Sequence, residues 1–194
     1  MTPSERRPAP LRDGPALGMT GLLVVTMVVG YEWLVSGLAK FAAGDFPGGL
    51  GAELTEKAGE LSGWYADFLT RVAIPNAPAF GYVIQISELL AGLALIGGPL
   101  LWLFAWERLS DGVRSAVLLV IAAAAIGGAL LTVNLHLANA EAHPWLLPDD
   151  PFDEGVGLDS VLTAIQLVIA TVALVQLRRL RRAHADDRPP AWRT

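Results

Sequence analysis

The chain of 194 residues contains no cysteine. Disulfides, thiol redox chemistry and thiolate-held metals are therefore excluded. Charge is also scarce: Asp, Glu, Lys and Arg make up 17% of the residues, against 53% hydrophobic. That balance excludes an ordinary soluble domain and fits a small integral membrane protein of one domain. Neither a haem-ligating pair nor a nucleotide-binding glycine motif is evident. The basic residues cluster only beside apolar segments, so nothing points to nucleic acid. No metal or haem is expected.

What the sequence does have is long apolar runs. A bilayer core takes about 20 mostly apolar helical residues. Four segments meet that need: Leu17–Phe41, Phe80–Trp106, Val113–Leu137 and Ser160–Leu177. The first is too long for a signal-peptide core and carries a glutamate, so it reads as a retained span. The prolines of "IPNAP" are expected to stop any helix from running through into the second span. The expected class is an all-α integral membrane protein: a polar tail at 1–16, a four-transmembrane-helix bundle at 17–177 and a basic tail at 178–194.

Lys and Arg set the direction of insertion. Arg6, Arg7 and Arg12 precede the first span. Arg108 and Arg114 flank the short second loop, and Arg178, Arg179, Arg181, Arg182, Arg188 and Arg193 follow the fourth span. The other two loops hold only Lys57 and Arg71 and are rich in acids, among them Asp149, Asp150, Asp153 and Glu154. The protein should be multi-pass in the cell (plasma or inner) membrane, with both termini cytoplasmic. In the first external loop, Leu50, Leu54, Leu61, Trp64 or Tyr65, and Phe68 recur at helical spacing, which predicts short amphipathic helices lying on or capping the bundle. Ala123 with Gly127 and Ala124 with Gly128 are small-xxx-small pairs, expected to let helices approach closely. Trp33, Trp102, Trp106 and Trp145 are expected as interface anchors.

The polar residues of the spans share a depth. By helical rise, Glu32 lies roughly 16 Å, Glu88 roughly 12 Å and Gln166 roughly 9 Å from the outer end. Asn134 and His136 are near the outer end of the third span. Their spacings form stripes: Glu32, Ser36 and Lys40; Gly81, Gln85, Glu88 and Gly92; Thr132, His136 and Asn139; Asp159, Thr163 and Gln166. Polar stripes are costly in lipid, so they are expected to face inward and enclose a polar pocket in the outer half of the bilayer. Glu32, Lys40, Glu88 and His136 are the candidates for proton donation or charge stabilisation. Ser36, Gln85, Asn134, Thr163 and Gln166 are the candidate lining. Each has a structural alternative. Glu88 could be a bonded neutral carboxyl, and Glu32 with Lys40 an ion-pair network. His136 could be a satisfied polar residue, and Gln166 and Asn134 cross-links between helices.

Three stretches, "GYEWLVSGLAKF", "IPNAPAFGYVIQISELLAGLALIGG" and "LLTVNLHLANAEAHPWLL", together resemble the DoxX-like superfamily, nearest the DoxD-like small subunit type of thiosulfate:quinone oxidoreductase. The resemblance spans roughly residues 17–177 and rests on order and spacing. It makes Gly37, Lys40, Glu88 and Asn134 family-like positions. It implies a four-helix membrane bundle linked to quinone-dependent oxidation of sulfur compounds or to redox-stress complexes, working with a second redox subunit. A quinone is the implied cofactor. The other class left open is a non-enzymatic binder or carrier of a small molecule or lipid, or an assembly subunit of a membrane complex.

Overall fold

The computed structural model describes residues 14–139 and 157–186, with side chains described for 18–139 and 157–183. The basic residues before Gly14 and after Asp186, the acidic residues at 149–154, and Trp145 lie outside that range. The described chain is helical throughout its elements. Helix α1 is Gly14–Ala43, α2 Phe46–Glu60, α3 Trp64–Phe68, α4 Ala77–Phe104, α5 Asp111–Ala138 and α6 Leu158–Asp186. Among the described residues, four helices are long and apolar enough to cross a membrane, drawn from Gly18–Ala43, Trp64–Phe104, Asp111–Ala138 and Leu158–Ala183.

One expectation at the second span needs correction. Helical turns run on through "IPNAP", although the backbone departs from helical geometry at Asn76 (φ −115°, ψ 19°), the cap of α4. From α3 it continues through a π-helical turn, Leu69–Ala73, and a 3-10 turn, Ile74–Asn76, directly into α4. Both prolines fall in the first residues of a helical segment, where the missing N–H has no intrahelical acceptor to lose. Helical turns therefore lie on both sides of Asn76, with α4 starting afresh after it.

The two most extensive helix pairings are α1 with α4 and α5 with α6, and α4 joins the pairs by packing on α5. The core they share contains Val29, Trp33, Leu95, Leu118, Ile121, Ala125, Ile169 and Ala173. In lipid, helices gain little from hiding apolar surface, so close packing must hold them. Between α1 and α4 that packing is made by glycine. A Cβ on Gly92 would lie 2.6 Å from the Leu34 backbone nitrogen, and one on Gly30 would lie 2.9 Å from the Leu95 backbone carbon. Large side chains such as Val28, Tyr31, Leu93 and Phe104 point outward and remain exposed, as a lipid-facing belt requires.

Helices α2 and α3 cover one end of the bundle. The turns at Gly44 (φ +74°) and Gly63 (φ +82°) use left-handed backbone that glycine adopts without strain. Helix α2 then rests on α4, with Pro47 against Gly81 so closely that a Cβ there would lie 2.6 Å from the Pro47 Cα. Tyr65, Leu69 and Ala73 form a small core with Leu54, Leu61 and Leu137 over the end of α5. The Tyr65 hydroxyl donates to the Asn134 carbonyl at 3.1 Å, and Lys57 Nζ donates to Asn139 Oδ1 at 2.9 Å. At the opposite end, Trp102 and Trp106 stack at 3.9 Å, and Arg114 donates to the Trp106 carbonyl and pairs with Asp111.

Candidate functional site

At the capped end the bundle encloses a cavity of about 530 Å3, lined from α1, α2, α3 with its following π turn, α4, α5 and α6. Its wall carries Ser36 and Lys40 from α1 and Glu88 from α4. Lys40 Nζ donates to Glu88 Oε1 at 2.9 Å and Oε2 at 2.8 Å, and to Ser36 Oγ at 2.8 Å. Ser36 in turn donates to Glu88 Oε2 at 3.1 Å. Local sequence explains the arrangement. Ser36 and Lys40 stand one helical turn apart, and a helical side chain leans back toward the preceding turn, so the ammonium folds over the serine. Gly37 between them draws α4 in, since a Cβ there would lie 2.8 Å from the Leu89 backbone nitrogen. That close approach brings Glu88 within reach of both donors. Phe46 of α2 lies with its ring centroid 5.3 Å from the Lys40 ammonium, a cation–π contact that shields the pair from the cap side.

Glu88 is 3% exposed and Lys40 24%. A buried carboxylate needs both a counter-charge and hydrogen bonds, and Glu88 receives both. Lys40 pairs with Glu88, not with Glu32 in the network that the sequence left open as a structural alternative. Glu32 is exposed, lines the cavity, and makes no hydrogen bond or ion pair among the described residues. Two further acids line the same space, Glu53 of α2 and Asp159 of α6, with Lys57 as the one cation besides Lys40 among the described lining residues.

The remaining candidates divide. Asn134 lines the cavity beside Leu131 and Thr132. Gln85, His136, Thr163 and Gln166 are buried but are not among its lining residues, so the expectation that they form its wall is corrected. Thr163 and Gln166 instead face neighbouring helices. The Thr132 and Thr163 hydroxyls are 2.6 Å apart, linking α5 to α6. Gln166 Oε1 accepts from Trp33 Nε1 at 3.1 Å, and its amide fills the space where a Cβ on Gly128 would stand. Trp33 is therefore no interface anchor: it is 5% exposed and ties α1 to α6 beneath the cavity.

A second cavity of about 490 Å3 lies between α4 and α5 on the outside of the bundle. It is apolar, with Ala91, Ala94, Ala123, Ala124 and Gly127 among its lining. The small residues of α5 expected to seat another helix are only partly so used. Gly128 packs on Gln166, but nothing lies within 4 Å of where a Cβ on Gly127 would be. Thr132 lines the cavity as its inward stripe predicts, whereas Trp33 is the lining residue that the sequence reading assigned elsewhere. An indole within an apolar stripe reads as an anchor or core until its partner helix is known.

No family model, curated protein or solved structure matches the chain.

Proposed function

We propose that the protein is a cell-membrane subunit of a quinone-linked redox system of the DoxX-like kind, with both termini cytoplasmic and the capped cavity as its binding site. The observation that carries this reading is the Lys40–Ser36–Glu88 cluster on the wall of a cavity of about 530 Å3. That size falls in the range of small-molecule sites, about 300–1,000 Å3. The lining mixes aromatic and aliphatic surface (Phe46, Phe80, Ile84, Leu131) with a few convergent polar groups, which fits a substituted ring bearing carbonyl oxygens. A bound quinone would supply the two-electron acceptor chemistry that no side chain of this cysteine-free chain provides. Lys40 Nζ would orient it by turning one N–H from Ser36 Oγ to a ring oxygen, while Ser36 stays bonded to Glu88. Glu88 would hold the ammonium in place, and Glu32 would hold or pass a proton at the cavity wall. A second subunit would bring the electrons, from a sulfur compound or another reduced donor.

The test is to purify the protein, extract its lipids and identify bound quinone, then to add candidate partner subunits and follow quinone reduction. Quinone in the extract and partner-dependent reduction are expected. Their joint absence would sink the reading.

One observation favours a non-enzymatic binder or carrier as the second reading. Lys40 and Ser36 already direct donors at Glu88, which suits a rigid binding wall as well as a reactive one. A bound amphiphile recovered from the protein, with no turnover under any partner, would select it.

A further inference from the structure

The two cavities adjoin one another. Trp33, Ile84, Glu88, Leu131 and Asn134 line both of them, so the buried carboxylate stands at the junction of a polar chamber and an apolar groove. The groove runs beside α4 from Val83 to Ala94, roughly 16 Å at the helical rise of about 1.5 Å per residue. Leu90 and Leu130 flank it, 60% and 61% exposed, so it faces the side of the bundle that meets lipid in a membrane-spanning reading. Its floor near Gly127 is open space. The chamber, in contrast, has an acidic bias. The Lys40–Glu88 pair is internally neutral, and among the described lining residues Glu32 and Glu53 then outnumber Lys57. A negatively charged head would be repelled there.

Building on the binding role argued above, we infer that the two cavities are one site for a single-chain amphiphile without negative charge. Its polar head sits in the chamber against Lys40, Ser36 and Glu88, and its hydrocarbon tail leaves the bundle through the groove between α4 and α5. The shared lining at Glu88 is what separates this from a helix-docking face. A second copy seated on the groove would leave the chamber without a lateral opening there, whereas a tail uses both halves at once. Two sources of such a molecule share this chemistry: an isoprenoid quinone and a neutral monoacyl lipid.

The test uses the full chain in phosphatidylcholine nanodiscs, with empty nanodiscs as the partition baseline. Decyl-substituted benzoquinone is titrated beside its tail-less counterpart, and monoolein beside glycerol. Gly127→Leu places a side chain in open space, and Ala123→Leu fills the same groove from an exposed position. Whichever tailed compound binds should bind more tightly than its bare head. Both variants should weaken it about tenfold, the effect of losing roughly two buried methylenes, and leave the bare head unaffected. Monoolein binding that depends on the groove, with no quinone binding, would uphold the inference while overturning the quinone reading. The inference is overturned if neither tailed compound binds or if both variants bind it as the unsubstituted protein does. It is likewise overturned if the protein is a dimer that Gly127→Leu dissociates.

Discussion

The Lys40 ammonium reaches both carboxylate oxygens of Glu88, at 2.9 and 2.8 Å, across the α1–α4 seam. The pair is asymmetric: the acid is sealed at 3% exposure while the base keeps a 24% opening toward the cavity. The carboxylate is thus fixed, and the ammonium is the member that a ligand in the cavity can meet.

That asymmetry predicts unequal mutants. Lys40→Met leaves a sealed carboxylate without its counter-charge and should cost about 3–5 kcal/mol, the usual loss when one member of a buried pair is removed. Glu88→Gln leaves an ammonium that can still turn to the cavity, so the folded protein should survive while binding or activity is lost. The double variant Lys40→Met with Glu88→Leu should be more stable than Lys40→Met alone. Thermal unfolding in micelles measures all three. Equal destabilisation by Lys40→Met and Glu88→Gln would refute the asymmetry.

The α1–α4 seam depends on glycine, and one helix offers its own control. On α4, a Cβ at Gly92 would press on the Leu34 backbone, whereas a Cβ at Gly97 meets nothing within 4 Å. Gly92→Ala should separate the helices and lower the melting temperature markedly, because backbone cannot yield as a flexible side chain can. Gly97→Ala should be neutral or slightly stabilising through helix propensity. A melting temperature for Gly92→Ala within error of Gly97→Ala would show that the seam is not held this way.

The four apolar helices and the polar character of one end were legible in the sequence, because span length and spacing along a helix are local properties. Which residues meet was not. The stripe containing Thr163 and Gln166 is correctly an inward stripe, but a period of 3.6 residues does not say which interior neighbour it faces. For Thr163 and Gln166 that neighbour is a helix, and of the stripe only Asp159 lines the cavity, beside Leu162. Glu32 and Lys40 looked like natural partners within one helix. The salt bridge went to Glu88 because Gly37 brings α4 close, and a glycine in a span does not announce which helix it admits. The same limit applies to α5, where Gly128 admits the Gln166 side chain and Gly127 admits nothing among the described residues.

The Trp33–Gln166 bond with its Gly128 seat predicts a coupled pair. Gln166→Ala removes the acceptor of a buried indole N–H, and should cost about 1–2 kcal/mol. Gly128→Ala alone should cost more, since its methyl and the Gln166 amide would occupy one space. Combining the two relieves that overlap, so the double variant should melt above Gly128→Ala alone. Strict additivity of the two losses would mean that Gln166 had another place to go.

The absence of native cysteine makes the proposed orientation directly measurable. Under the distribution of Lys and Arg, Asp150 belongs to an external loop and Arg182 to the cytoplasmic end of α6. In spheroplasts, a membrane-impermeant maleimide should label Asp150→Cys without lysis and Arg182→Cys only after it. The consequence reaches the site, because the cavity lies at the end where α4 begins and α5 finishes, and Asp150 belongs to the stretch of sequence between α5 and α6. Labelling of Asp150→Cys only from the cytoplasmic side would turn the bundle over. It would then place the Lys40–Glu88 wall in the inner half of the membrane, where a donor outside the cell could not reach it.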